Sequence, residues 1–472
     1  MRKLLLSLTL VSLAGCQLAP THERPALPVT DSYPHLLADG AETGAEAGVV
    51  PAEMQWRSFF ADPQLQVLIE QALVNNRDLQ AALYRIEETR GLYGVQLADR
   101  YPSLGLGAEM TRGRTNTGAQ GVQGGSSAIS ESYFVGLNVS AFELDFWGRV
   151  ANLSSVARAE YLASIEAQRA FRLSLISDVA STYLGLREAV ERIELAEATV
   201  VSRREGLRIA KVRLDAGITS ALDYAQAEAL LTQAETQLAA IMLTRAQNQN
   251  LLALLTGGVV AEPLPAPLTL AEQSSPPALD AGLPSSLLLS RPDIIAAELR
   301  LQAARANIGV ARAAFFPQVS LTGRAGYASS EFSNLVSSSN EIWSIGPSIT
   351  LPLFDYGRNR GNLTVAQARD NLAVVEYERT IQVAFNEVAD ALAGRRYLAD
   401  QVEAQERNEA TLQRVVDLAR QRYEEGVVNY IEVLDAERSL FDAQQSSIQI
   451  RRAEVQNLVA LYIALGGGTA VE

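Results

Sequence analysis

The chain has 472 residues, 48% of them hydrophobic, and its 40 Lys and Arg residues against 54 Asp and Glu residues give a formal net charge of −14. The chain has only two histidines, His22 and His35, and one cysteine, Cys16. These are too few to favour a His/Cys metal site, a Ser-His-Asp or Cys-His nucleophile, or a disulfide scaffold. The acidic balance argues against nucleic-acid binding, because neutralising phosphates needs clustered Lys and Arg. We therefore expect no enzyme, no cofactor, no metal and no nucleic-acid partner.

The N-terminus has the pattern of an export signal. A basic pair and the apolar run Leu4–Leu13 precede the string Leu13-Ala14-Gly15-Cys16. This string resembles a bacterial lipobox, in which the cysteine receives a lipid and becomes the mature N-terminus, and Gln17 after it favours the outer membrane. The alternative is an ordinary signal peptide that contains a cysteine. No later apolar run reaches the roughly 18 to 20 residues of a helical span, so entry into a bilayer would need another structure.

The rest of the chain contains an internal sequence repeat. Residues 78–102 align without a gap to residues 293–317, and residues 213–228 align to residues 422–437. A Pro-rich stretch separates the two halves. The predicted segments are a signal peptide (1–15), an extended N-terminal segment (16–62), repeat 1 (63–261), a linker (262–290) and repeat 2 (291–468).

Each repeat contains two stretches in which apolar and polar residues alternate. They predict strands at about 103–111 and 133–142, and at about 318–327 and 343–352. The alternation places Ala141 on the apolar face and Phe142 on the other. These strands have the length of tilted transmembrane strands, although a half-buried soluble sheet alternates in the same way. The Gly-, Ser-, Thr- and Asn-rich connections Thr111–Ser132 and Ser329–Glu341 favour exposed barrel loops.

Long helices make up most of the remainder. Proline is absent from Val150 to Asp215 and from Asn359 to Glu425, which predicts uninterrupted helices on the order of 100 Å long. Apolar residues recur every seven positions in the last helix, which predicts left-handed supercoiling with its neighbours. These positions are Leu434, Phe441, Ile448, Val455 and Tyr462.

Four strands cannot close a barrel by themselves. Unpaired backbone groups in hydrocarbon cost several kcal/mol each. The edge strands of a membrane-inserted sheet must therefore pair with strands of other copies of the chain. Closed bacterial barrels begin at about eight strands, which makes a dimer or a trimer the smallest solution.

These features together resemble the TolC/OprM outer-membrane factors. The resemblance rests on the lipobox, the duplicated order of strand pair and long helix, and the Phe316-Pro317 step into a strand. It also rests on Phe146-Trp147-Gly148-Arg149, its counterpart Asp355-Tyr356-Gly357-Arg358, and the closing Leu465-Gly466-Gly467-Gly468. It implies an α+β membrane protein: a homotrimer with a 12-stranded β-barrel in the outer membrane, four strands per chain, continued by a periplasmic α-helical coiled-coil barrel. The implied partners are a periplasmic adaptor, an inner-membrane pump and outer-membrane lipid.

Two helical turns are the candidates for a closed end of such a duct. Gly217 and Gly426 each follow a long helix and are expected to adopt the left-handed C-terminal cap. Ser220 with Asp223, and Asn429 with Glu432, stand at the spacing of a capping box for the returning helix. We expect these turns to form the periplasmic tips.

The resemblance places a constriction just beyond the second turn. Asp435 corresponds to an acidic ring residue, Glu432 to a second acidic position, and Ile431 to an apolar ring. Tyr423 corresponds to a latch tyrosine with Asp223 as one acceptor, while the family's latch arginine is replaced by Val428. Capping alone explains Glu432 and Asp223, packing alone explains Tyr423, and a solvated helix face alone explains Asp435.

Three functions stay open at this point. The first is an exit duct of a tripartite efflux pump, which the lipobox favours by resemblance. The second is a duct for type I protein secretion, and the third is a structural coiled-coil lipoprotein.

Overall fold

The computed structural model describes residues 18–33, 54–116, 127–258, 260, 263–273 and 291–468. Within these ranges the helices are α1 (Trp56–Phe59), α2 (Pro63–Asn75), α3 (Arg77–Ala98), α4 (Arg149–Asp215), α5 (Ala221–Leu255), α6 (Pro292–Ala313), α7 (Arg358–Glu424) and α8 (Tyr430–Ala464). The strands are β1 (Leu104–Asn116), β2 (Ser127–Glu143), β3 (Gln318–Ser329) and β4 (Glu341–Thr350). The predicted signal peptide, Cys16 and most of the predicted linker lie outside the described residues.

The sequence repeat is also a repeat of helix lengths. Helices α4 and α7 both have 67 residues, and α5 and α8 both have 35. Helices α4 and α5 each begin 209 residues before their counterparts α7 and α8. The two long proline-free helices are therefore confirmed, with α4 and α7 each about 100 Å long at the α-helical rise. Among the described residues, none of the helices combines the length and the apolar character needed to cross a membrane.

Contacts divide the chain into two compact units. The first comprises Met1–Ala26, Arg85–Ile165 and Ala296–Tyr377, and the second comprises Leu27–Tyr84, Glu166–Ile295 and Glu378–Glu472. The first contains all four described strands, and the second contains both helical turns.

The first unit is built on an antiparallel sheet with the strand order β1-β2-β3-β4. Leu106 pairs with Leu137, Leu137 with Ala325, and Ala325 with Trp343, so the predicted apolar rows of all four strands share one face. Large side chains on this face are open to the surroundings, with Leu106 79% and Trp343 76% exposed. The sheet thus presents an apolar surface that the described part of the chain leaves uncovered.

The four strands were predicted, but two are longer than expected. Strands β1 and β2 remain paired out to Asn116 and Ser127, so much of the predicted loop Thr111–Ser132 is strand. The backbone ladder continues because threonine and serine are compatible with strand structure even where the apolar alternation stops.

A β-bulge near the end of β2 contradicts the predicted facing of two residues. The register between β2 and β3 shifts between Val139 and Phe142, and Ala141 adopts a positive φ of 46°. Phe142 consequently pairs with Leu321 and joins the apolar row, while Ala141 is part of the bulge. One extra residue reverses the alternation that follows it.

Two glycines face each other at the centre of the sheet. Gly136 on β2 pairs with Gly326 on β3. A Cβ atom on Gly136 would lie 2.4 Å from the carbonyl oxygen of Ala325, and one on Gly326 would lie 2.2 Å from that of Val135. Only glycine permits this approach of the two backbones.

Residues 22–24, which follow the candidate lipid site Cys16, are hydrogen-bonded to α6. The Glu298 carboxylate, on a residue only 7% exposed, accepts hydrogen bonds from Arg24 Nε at 2.8 Å and from His22 Nε2 at 3.2 Å. Arg305 reaches the other nitrogen of His22 at 2.9 Å and donates to the Glu23 carbonyl. Burial raises the pKa of Glu298, but the hydrogen bonds from Arg24 and His22 outweigh it and hold the pKa below its ordinary value.

The second unit has a buried carboxylate where helices meet. Asp62, 1% exposed, caps α2 by accepting from the Gln64 amide at 2.8 Å. It also accepts from the Tyr183 hydroxyl at 2.6 Å and from the Leu268 amide at 3.0 Å. Burial and then Asp62 itself raise the pKa of Tyr183, so the hydroxyl stays a donor.

The seven-residue spacing of α8 marks its packed side. Leu434, Phe441, Val455 and Tyr462 are buried, and Ile448 is half-buried. Tyr462 stacks on Phe59 with ring centroids 4.1 Å apart.

Candidate functional site

Both helical turns end their long helix in the same way. Gly217 and Gly426 have φ angles of +71° and +73°. In each turn the glycine N–H bonds to the carbonyl three residues back, and the next N–H bonds to the carbonyl five residues back. This is the Schellman cap, which reverses the chain and satisfies the last carbonyls of α4 and α7. The predicted left-handed caps are confirmed.

The first turn contains the predicted capping box. The Ser220 hydroxyl accepts from the Asp223 amide at 3.2 Å, and the Asp223 carboxylate accepts from the Ser220 amide at 3.0 Å. The Thr219 hydroxyl donates to the same carboxylate at 2.6 Å. These bonds, with Thr219 first, lower the pKa of Asp223. Asp223 is thereby occupied within its own turn.

The capping box predicted for the second turn is wrong. Asn429 lies at the N-cap of α8 but its side chain makes no capping bond. The Glu432 carboxylate instead accepts from Arg422 Nη1 at 2.5 Å, across the turn. The charge of the guanidinium attracts the carboxylate more strongly than a neutral backbone amide does. Both side chains are about half exposed, so this pair contributes only about 0 to 1 kcal/mol and exchanges readily with solvent.

The candidate ring residues lie on the first turns of α8. Asp435 is exposed and pairs with Arg438 at 2.8 Å, one helical turn further on. Ile431, one turn before Asp435, is half-buried. Residues four apart lie on one side of a helix, so Asp435 and Ile431 share a face, as predicted.

The candidate latch tyrosine lies between the two turns. The Tyr423 ring packs on Tyr430 at 5.0 Å between centroids, and the Arg213 guanidinium of α4 lies 5.1 Å from the centroid of Tyr423. Every hydrogen bond that the described structure gives to the Asp223 carboxylate comes from Thr219 and Ser220. Within one chain, therefore, Tyr423 is a packing residue that joins the turns, and a bond to Asp223 is not formed.

A small core holds the second hairpin together beneath its turn. It consists of Val416, Ala419, Val433 and Ala436, with Tyr423, Tyr430 and Leu440 at its border. A Cβ atom on Gly206 of α4 would meet the Tyr430 hydroxyl at 2.9 Å, so the glycine makes room for that ring. Burial raises the pKa of Tyr430.

Sequence reasoning missed the arginines of this site. Arg213, Arg422 and Arg438 hold Tyr423, Glu432 and Asp435, respectively. The available signal was positional, because Arg213 and Arg422 are aligned in the two repeats and each precedes its turn glycine by four residues.

This chain is similar to known efflux proteins over almost its whole length. A family model described as outer membrane efflux protein matches residues 68–258 and 283–467, one segment in each repeat. The cation efflux system protein CusC of Escherichia coli O6:H1 is 42% identical over 99% of this chain and 98% of its own length. The solvent efflux pump outer membrane protein SrpC of Pseudomonas putida is also 42% identical, over 98% of this chain and 97% of its own.

Solved structures agree with the described fold. The open-state MtrE outer membrane channel of Neisseria gonorrhoeae superimposes with a TM-score of 0.84 at 36% identity. The match covers 96% of this chain and 98% of that one.

Proposed function

Since this chain belongs to the outer membrane efflux protein family, we propose that three copies of it form the exit duct of a tripartite efflux pump. The open sheet of the first unit carries this proposal. Its outer strands, β1 and β4, each have one edge without a partner strand among the described residues. Open edges do not persist in hydrocarbon. Three copies supply twelve strands. A barrel of about eight strands has an interior that its own side chains fill, so a barrel of twelve leaves room for a channel.

The uncovered face of the sheet supports insertion into lipid. Its residues are large, apolar and exposed on outer as well as inner strands: Leu104, Leu106, Leu137, Trp343, Ile345 and Ile349. Soluble monomers rarely leave apolar patches of this extent in water. The opposite face is rich in glycine, serine and threonine, as expected of a wall that borders water.

Partners and cargo follow from the same assignment. A duct of this kind receives its cargo from an inner-membrane pump through a periplasmic adaptor, and we assign it neither catalysis nor a cofactor. A lipid on Cys16 anchors the mature N-terminus. Relatives that are equally similar to this chain are named for cations and for solvents, which supports a passive duct whose cargo is chosen by the pump.

The second turn is the proposed gate. Three copies of Asp435 and Glu432 around a threefold axis repel one another and favour cations, with Ile431 as an apolar ring beside them. Each carboxylate is paired in its own chain with an exposed arginine, Arg438 or Arg422. Such weak pairs offset part of the repulsion and can be exchanged when an adaptor engages the tips.

Topology in living cells tests this function. Ser338→Cys places a thiol in the exposed β3–β4 connection, and Thr219→Cys places one in the first turn. A membrane-impermeant maleimide should label Ser338→Cys on intact cells and Thr219→Cys only after the outer membrane is permeabilised. The duct would be contradicted if neither variant were labelled on intact cells, or if only Thr219→Cys were labelled there. Light scattering of the detergent-solubilised chain should give three copies.

A deletion strain separates efflux from protein secretion. Loss of an efflux duct should raise sensitivity to small toxic compounds and leave exported proteins unchanged. Loss of a secretion duct would do the reverse.

A further inference from the structure

One buried arginine in the second unit has two nitrogen atoms without a hydrogen-bond acceptor among the described residues. Arg203 on α4 is 7% exposed, and its Nε and Nη1 atoms are enclosed without a hydrogen-bond acceptor. Burying a charge without compensation is among the costly arrangements in a protein. Burial lowers the pKa of Arg203, while Glu437 and Asp442 raise it in part. A guanidinium nevertheless remains charged at neutral pH.

This arginine borders a cavity between α4, α7 and α8. The cavity has a volume of about 250 Å³, and its polar lining includes Thr199, Ser202, Gln413 and Gln444. The carboxylate that lines it, Glu437, is hydrogen-bonded to Arg420 at 2.7 Å. The cavity therefore offers one uncommitted positive charge together with hydroxyl and amide groups.

Helix packing does not require an arginine at this position. The equivalent residue of the second repeat, 209 residues later, is Leu412. Leucine supplies the same α-helical propensity and fills a helix interface without a charge. Arg203 thus adds a hydrogen-bond donor at a position where the second repeat packs without one.

We infer that this cavity binds a carboxylate through Arg203. A guanidinium forms strong, charge-assisted hydrogen bonds with a carboxylate. Arg203, Arg420 and Glu437 together give the lining a charge of +1, which matches a monoanion such as a carboxylate better than a dianion such as phosphate. The volume accommodates a small carboxylic acid or the end of an Asp or Glu side chain from a docked protein. Both sources present the same group to Arg203.

The first arm of the test uses the free acid. Full-length protein in detergent is titrated calorimetrically with 4-bromobenzoate, and its crystals are soaked with the same compound. We expect a bromine anomalous peak in the cavity, and Arg203→Leu should weaken binding by about 10- to 100-fold, the range for a hydrogen bond to a charged group. Arg204→Leu is the matched control, because Arg204 is exposed and pairs with Glu235 outside the cavity. This arm does not depend on the proposed function.

The second arm tests a side chain of a partner. A photo-crosslinking residue replaces Ser202 in cells that contain the complete transport system. A crosslink that maps next to an Asp or Glu of one protein, is kept in Arg204→Leu and is lost in Arg203→Leu assigns the carboxylate to that protein. Bound 4-bromobenzoate assigns the site to a free acid. If soaked wild-type crystals show only ordered water at Arg203 and no Arg203-dependent crosslink forms, the inference is wrong.

Discussion

The glycine pair at the centre of the sheet makes a sharp prediction. An alanine Cβ at position 136 would lie 2.4 Å from the Ala325 carbonyl oxygen and 2.7 Å from the Gly326 Cα atom. Both contacts are with backbone, which cannot rotate away as a side chain can. The strands must separate, and overpacking of this kind costs about 1–3 kcal/mol. We expect Gly136→Ala to lower the stability of the sheet by that amount.

Gly113→Ala is the matched control on β1. A Cβ atom there has no neighbour within 4 Å. Removing a glycine without a clash reduces the freedom of the unfolded chain and stabilises by about 0.4–1 kcal/mol. The two substitutions remove the same kind of residue from the same sheet, and they should move stability in opposite directions.

The double variant distinguishes a local clash from a general loss of strand stability. Gly136→Ala separates the strands at the point where Gly326→Ala also needs space. Gly136→Ala with Gly326→Ala should therefore cost less than the sum of the two single variants, whereas independent effects would add. Urea unfolding of the detergent-solubilised protein, followed by tryptophan fluorescence, gives the midpoints. Equal midpoints for Gly136→Ala and Gly113→Ala would refute the close approach.

Three further predictions concern the turns and α6. Asp435→Ala combined with Glu432→Ala should raise single-channel conductance in planar bilayers, and unchanged conductance would remove both residues from the gate. Gly426→Ala should cost about 1–2 kcal/mol, because its φ of +73° is left-handed, and should speed hydrogen exchange at the second turn; Gly361→Ala on α7 should not. Glu298 has a lowered pKa, so it contributes stability fully above about pH 4.5 and loses it as the pH falls through the folded-state pKa. Glu298→Gln should therefore flatten the loss of stability on acidification, measured as unfolding midpoints against pH.

Sequence patterns predicted the elements that local chemistry determines. Alternation located four strands, the absence of proline located α4 and α7, and glycine located the ends of both helices. These features depend on neighbours a few positions apart. The bulge at Ala141 was missed because a single inserted residue leaves the composition of a strand unchanged.

Contacts between distant residues were beyond such reasoning. Glu298 joins residues more than 270 positions away, and Asp62 joins Tyr183 across 121 positions. Nothing in the local sequence marks either carboxylate as buried. The capping error at Asn429 has a more local cause, since Arg422, ten positions before Glu432, reaches it from the opposite helix of the hairpin.

The two turns also differ in a way that favours the proposed gate at the second of them. Their backbones are equivalent, yet the carboxylate of the first, Asp223, is held by neutral donors of its own turn. Its counterpart Glu432 is released from capping and paired with an exposed guanidinium, and Asp435 stands where the first repeat has Gln226. At these two positions of the returning helix, the second repeat therefore carries exposed carboxylates that can be exchanged between partners, whereas the first carries a carboxylate held within its own turn and a glutamine. A carboxylate that can change its partner, as at the second turn, is suited to a part of the protein that moves. A carboxylate that is bonded within its own turn, as at the first, is suited to a part that stays in place.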